Sequence, residues 1–187
     1  MATVRGGSRR VLLVVDVQVG VVQEAWDASR VVANVALAVE RARAAGVPVI
    51  WVQHADADLP HGSPAWQWVP ELVPGDAEVR IEKQFNSAFE ETPLEAELAR
   101  LGAAHIVLAG AATNWCIRAT AYAALERGYD LTLLKDAHTT GTMELDDGSK
   151  IEADTVVREL NVAMTWLSYP GRRNGTAAAA EVVFSER

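Results

Sequence analysis

Cys116 is the only cysteine among 187 residues, so no intramolecular disulfide is available, and the chain suits a reducing compartment. Long apolar runs are also missing. The longest, residues 11–15 and 106–110, fall far short of the ~20 residues a bilayer-spanning helix needs, which excludes a transmembrane helix. The short basic stretch 1–10 leads into Asp16 and Gln18 rather than a long apolar core with a small-residue cleavage site, so a cytoplasmic location is expected. Basic residues are in deficit: 17 Lys and Arg against 25 Asp and Glu give a formal charge of -8. That charge repels phosphate backbones and anionic lipid surfaces, so neither nucleic acid nor a membrane is an expected partner.

What is present is a hydrophobic half of the chain, enough for one domain over residues 1–187, with residues 1–9 expected to be a flexible N-terminal segment. Short β-branched runs alternate with stretches of helical period, the signature of a parallel sheet with crossover helices. Strands are predicted at 11–17, 49–53, 78–82, 106–109 and 131–135, and a short last strand at 182–184. Val31, Val35 and Val39 mark a helix that stops at Gly46 and Pro48. A third-strand connection leads to a helix with Thr92 as N-cap, Pro93 at its first position and Glu95 completing a capping box. Thr113 caps the next helix, which runs to about Arg127, and a last helix spans about 155–167. Residues 54–76, rich in Pro and Gly, read as a long excursion.

Functional crevices of open α/β sheets lie at the carboxyl ends of the strands. Asp16 ends the first strand, Lys83 follows the third, and Cys116 falls in the first turn of the helix after the fourth. Alone, each has an ordinary explanation: a carboxylate caps loop amides, a lysine extends to solvent, a cysteine packs as a small apolar group. Together they supply what nucleophilic catalysis needs. A helix N-terminus and an ammonium favour thiolate, and a carboxylate can take the thiol proton and return it to a departing amine. No Gly-rich loop follows the first strand, which argues against a nucleotide-binding module on the same sheet.

The segments Asp16-Val17-Gln18, Lys83 with Asn86-Ser87-Ala88-Phe89, and Gly110-Ala111-Ala112-Thr113-Asn114-Trp115-Cys116 resemble the triad motifs of isochorismatase-like cysteine hydrolases. Ala119-Thr120-Ala121 and Asp136-Ala137-His138 extend the likeness over most of residues 11–137. The resemblance implies a three-layer α/β/α fold on a six-stranded, mostly parallel sheet, with Asp16, Lys83 and Cys116 as catalytic triad. It also implies a cis peptide between Ala111 and Ala112, with the backbone amides of Ala112 and Cys116 forming the oxyanion hole, and a homodimer or homotetramer. Reactions in the family include nicotinamide deamidation, N-carbamoyl hydrolysis, ureidoacrylate cleavage, lactam opening and vinyl ether hydrolysis. Isochorismatases proper lack the cysteine, so Cys116 favours covalent hydrolysis of a small amide, carbamoyl or lactam substrate. Residues 62–72 and the tail resemble members related to streptothricin hydrolases.

Nicotinamidases carry an Asp-x-His pair and a later His that bind a metal. Here the order is His54-Ala55-Asp56, with His61 beyond, so no metal and no cofactor are expected, and a metal-assisted nicotinamidase remains the alternative, beside a non-catalytic binding or partner protein. Gln18, Phe85 and Ser87 flank triad members and are candidate substrate contacts, together with Trp26, Trp115 and Trp166.

Overall fold

The computed structural model describes residue 2 and residues 5–184. At its centre is β1 (Arg9–Val15), in which residues 11–15 are shut off from solvent. Val11, Leu13 and Val15 enter one hydrophobic core while Leu12 and Val14 enter another, the period-two alternation of a strand covered on both faces. Each such side chain stabilises the fold by roughly 1.5–3 kcal/mol relative to exposure.

Chain order continues with a short α1 (Val19–Val22), α2 (Ala28–Ala44), β2 (Val49–His54), β3 (Val79–Lys83), α3 (Leu94–Arg100) and β4 (Ala103–Ala111). A π-helical turn, Thr113–Ile117, runs into α4 (Arg118–Glu126), followed by β5 (Asp130–Thr139), a small antiparallel pair β6 (Met143–Glu144) and β7 (Lys150–Ile151), α5 (Ala153–Trp166) and β8 (Asn174–Ala177). The main sheet has the order β3-β2-β1-β4-β5-β8, with every pairing parallel. One face is covered by α2 through Val31, Val35, Val39 and Ala42; the other by α3, α4 and α5 through Leu94, Leu98, Ala121, Leu125, Leu160 and Met164. The six-stranded three-layer fold expected from the sequence is the one observed.

Several boundaries differ, each for a local reason. β1 stops two residues early because Asp16 takes a left-handed conformation (φ 51), which turns the chain out of the sheet. The capping box does not form. α3 starts at Leu94, whose N–H the Thr92 hydroxyl accepts at 3.3 Å while donating to the Ala88 carbonyl, but the Glu95 carboxylate, instead of closing the box, pairs with Arg5 at 2.7 Å. Thr113 is the first residue of the π-turn rather than its cap, because its hydroxyl bonds His138. Nor is 182–184 a strand: Val182 and Phe184 are apolar plugs in the α2 core. The sixth strand is instead the weakly patterned Asn174–Ala177, fixed in register by Asn174 Nδ2, which donates to the Met164 and Leu167 carbonyls at 2.7 and 2.9 Å. In the N-terminal segment, Arg9 opens β1 and Arg5 donates to the Arg127 carbonyl at 2.6 Å; residues 1, 3 and 4 lie outside the described residues.

From β1 the chain moves outward through β2 to β3, then crosses back to place β4 on the other side of β1. That reversal opens a crevice at the carboxyl ends of β1 and β4.

Candidate active site

Asp16, Lys83 and Cys116 meet in this crevice. Asp16, the first residue after β1, is anchored by its own N–H on the Val52 carbonyl at 2.8 Å and is 1% exposed. Lys83 closes β3 in direct register with His54, the last residue of β2, so their side chains leave the sheet on the same side. Cys116 lies in the π-helical turn after β4 and is 8% exposed. The approach to that turn depends on Gly110, whose φ is +129 and where an added Cβ would lie 1.9 Å from the Val15 carbonyl oxygen. The next peptide, Ala111–Ala112, is cis.

The Lys83 ammonium has three protons and three neighbours: Asp16 Oδ2 at 2.7 Å, Cys116 Sγ at 3.2 Å and His54 Nδ1 at 3.2 Å. Lys83 and Asp16 are both excluded from solvent, a pair that persists only because each charge is matched. Among the described residues Asp16 Oδ1 has no fixed donor, leaving it open to a proton. Burial pushes the Asp16 carboxyl up, while Lys83 pulls it down. Burial and then the Asp16 charge push the Cys116 thiol up to about 12, with Lys83 acting in the opposite direction. Burial and Asp16 favour the protonated thiol at rest, against the pull toward thiolate expected from a helix N-terminus beside an ammonium. What the arrangement offers is a buried thiol with a carboxylate placed to receive its proton as it attacks.

The surroundings hold this arrangement in place. Behind the π-turn, Thr113 Oγ1 and His138 Nδ1 are 2.8 Å apart, and His138 Nε2 meets Asn161 Oδ1 at 3.1 Å. Burial drives the His138 imidazole down to about 4, so it is neutral and its two nitrogens play opposite roles. Asn114 Oδ1 accepts from Thr140 Oγ1 at 2.6 Å. Thr120 Oγ1, one turn after Cys116, accepts the Ala88 N–H at 3.0 Å and fixes the loop that follows Lys83. Of these, His138 was visible in sequence only as part of a motif, and nothing in the spacing from Thr113 announced the contact.

Other sequence candidates fall in different places. Gln18 is fully buried and its amide is committed to the protein: Nε2 donates to the His54 and Trp66 carbonyls at 3.0 and 2.8 Å, and Oε1 accepts the His54 N–H at 2.8 Å. It ties the segment after β1 to the end of β2. Ser87 Oγ accepts the Phe89 N–H within its own turn at 3.2 Å. Phe85 and Trp115, the latter next to Cys116, are half-exposed. Trp26 is held at the carboxyl end of β5 by its N–H on the Thr140 carbonyl. Trp166 is not at the site. It ends α5 beside Asn174, which pairs with Leu131 at the amino end of β5, so it lies at the opposite edge of the sheet and is 81% exposed.

A cleft between the loops after β2 and β3 is lined by Ala55, Glu82, Lys83, Gln84, Phe85 and Glu91. Another, bounded by Arg10, His105, Arg173 and Glu181, lies toward the amino end of β4 and β5 and is lined by no cysteine. Among the described residues no three His, Cys, Asp or Glu side chains are grouped to hold a metal ion. His54 Nε2 meets Asp56 Oδ2 at 2.8 Å, and His61 Nε2 meets Glu82 Oε1 at 3.0 Å, so the two histidines of the β2 loop have carboxylate partners of their own. No helix among the described residues is long and apolar enough to cross a membrane.

Comparison with known proteins identifies the family and the fold. Residues 10–160 match the family model described as the Isochorismatase domain. A streptothricin hydrolase of Streptomyces noursei is 36% identical over 137 residues, 69% of this chain and 54% of that protein. The ureidoacrylate amidohydrolase RutB of Methylobacterium radiotolerans is 31% identical over 159 residues, 67% of this chain and 61% of its own length. The chain thus spans little more than half of these relatives. An isochorismatase from Pseudomonas putida KT2440 superposes with a TM-score of 0.82 at 27% identity, covering 94% of this chain and 91% of the other.

Proposed function

The chain belongs to the isochorismatase family, and from that premise we propose that it is a cysteine hydrolase opening an amide-type C–N bond of a small molecule through a thioester on Cys116. The observation that carries this reading is the single ammonium of Lys83, which meets both the Asp16 carboxylate, at 2.7 Å, and the only thiol of the chain, at 3.2 Å. The relatives named for streptothricin and ureidoacrylate hydrolysis support a C–N bond as the target.

In this mechanism the Cys116 sulfur attacks the carbonyl carbon as its proton passes to Asp16. Negative charge moves to the carbonyl oxygen, where the backbone N–H groups of Ala112, just before the π-turn, and Cys116, within it, donate to it. Lys83 offsets the charge on sulfur and holds Asp16 in place. Collapse of the tetrahedral species breaks the C–N bond, and Asp16 returns the proton to the leaving nitrogen. Water then adds to the thioester, giving a proton to Asp16, and the acid departs as the thiol is restored. Phe85 and Trp115, and Trp26 at the end of β5, are the half-exposed surfaces offered to the rest of the substrate. A free nucleophilic thiol functions in a reducing compartment, which is the basis for a cytoplasmic assignment.

The test is a panel of primary amides, N-carbamoyl compounds and lactams, scored for release of ammonia or amine by the wild type and by Cys116→Ala and Cys116→Ser. Turnover of at least one compound that both variants lose, with unchanged circular dichroism, is expected. Turnover that survives in Cys116→Ala would overturn the covalent mechanism.

A further inference from the structure

The third neighbour of Lys83 has no part in the mechanism above. His54 Nδ1 lies 3.2 Å from Lys83 Nζ, and an ammonium has only protons to offer, so Nδ1 must be the bare, accepting nitrogen. The ring proton is then on Nε2, where it is donated to Asp56 Oδ2 at 2.8 Å. Asp56 is itself fixed: its Oδ1 accepts the N–H groups of Asp58 and Leu59 at 2.9 and 2.8 Å. The backbone of His54 is clamped on both sides by the buried Gln18 amide. A chain of oriented hydrogen bonds therefore runs from the half-exposed Asp56 through His54 to the buried Lys83 and ends on Asp16 and Cys116.

We propose that His54 and Asp56 are positioning residues: Asp56 fixes the tautomer of His54, and His54 accepts the third Lys83 proton so that the other two face Asp16 and Cys116. Without that acceptor one N–H of a buried ammonium has no partner, and the ammonium is free to turn away from the sulfur. A charge-assisted hydrogen bond of this kind corresponds to roughly one to two powers of ten in an equilibrium. Replacing a tautomer-fixing carboxylate by an amide puts the imidazole proton on the wrong nitrogen.

The inference rests on the proposed triad, and its test separates the two. In the full chain, His54→Ala, His54→Asn, Asp56→Asn and Asp56→Ala are compared by the rate at which iodoacetamide alkylates Cys116 at pH 9, by nitrogen-15 shifts of the His54 ring, and by kcat and KM on the best amide of the panel. His54→Ala should slow alkylation at least about tenfold and lower kcat more than it changes KM. His54→Asn, whose side-chain oxygen can take the place of Nδ1, should recover most of that loss. Asp56→Asn keeps the loop anchor at Oδ1 but turns a donor toward Nε2, forcing the proton to Nδ1 against Lys83. It should be at least as damaging as Asp56→Ala. A purely structural role predicts the reverse order, because Asp56→Ala alone loses the anchor. Wild-type shifts showing the proton on Nδ1, His54→Asn no better than His54→Ala, or Asp56→Ala worse than Asp56→Asn would each overturn the proposal. Alkylation and ring shifts do not depend on the reaction catalysed, so failure of the amidase reading would appear separately, as turnover by Cys116→Ala.

Discussion

Lys83 Nζ and Cys116 Sγ are 3.2 Å apart, and the thiol beside that cation is nevertheless pushed up to about 12, because burial and the Asp16 carboxylate outweigh the ammonium. Only the thiolate alkylates, so the rate of reaction with iodoacetamide should climb about tenfold per pH unit from neutrality to pH 10 without levelling off. A plateau near pH 7 would mean that the thiol is ionised at rest.

Asp16 and Lys83 act on the sulfur in opposite directions, so their variants should separate. Asp16→Asn removes the adjacent negative charge; alkylation at pH 8 should hold steady or quicken, while amide turnover falls by several powers of ten for want of a proton carrier. Lys83→Ala should slow both. Equal losses of alkylation in the two variants would contradict the division of roles.

One buried histidine, His138, and one partly buried, His105, tie stability to pH. His138 and His105 are both held down to about 4 by burial, against an ordinary value near 6.5. The unfolded chain therefore binds their protons first, and stability is lost as pH falls from about 6.5 toward 4, by up to about 3 kcal/mol for each. Urea denaturation at pH 7 and pH 4.5 measures this, and His138→Gln should flatten part of the dependence. A midpoint unchanged between the two pH values would exclude it.

Gly110 is the register partner of Val15 across β4 and β1, and an alanine there would drive its Cβ into the Val15 carbonyl. Gly110→Ala should lower the melting temperature and abolish turnover, since relief of that clash moves the segment carrying Cys116. Gly46→Ala, also at positive φ but with nothing within 4 Å, should be strained only locally and keep its activity.

Chelation should leave the rate on the best amide unchanged. The imidazole nitrogens of His54 face Lys83 and Asp56, and His61 is bonded to Glu82, so these histidines would have to abandon existing partners to bind a metal. Loss of activity on dialysis against chelator, with recovery on adding zinc or iron, would refute this.

Residue order alone determined the sheet class, the alternation of strands and helices, and the arrival of Asp16, Lys83 and Cys116 at one edge. These follow from short-range periodicity and from the rule that parallel strands present their carboxyl ends together. The same local signals failed where a contact joins distant segments. The sixth strand at Asn174–Ala177 has little intrinsic strand character and exists because β5 and the end of α5 hold it, whereas the better-patterned Val182 and Phe184 became core plugs. Trp166 looked like a neighbour of the crevice until the direction of α5 carried it to the far edge. Gln18 serves as a clamp on His54, because the β2 backbone lies within reach of its amide, which its own sequence neighbours do not announce. His54 was legible only as a possible metal ligand; its role beside Lys83 depends on the two residues being register partners, and register between strands is decided by nonlocal pairing rather than by either strand's own sequence. The protonation of Cys116 belongs to the same class, since a charge's effect depends on burial and on which opposite charge is nearer, and both are properties of the folded chain alone.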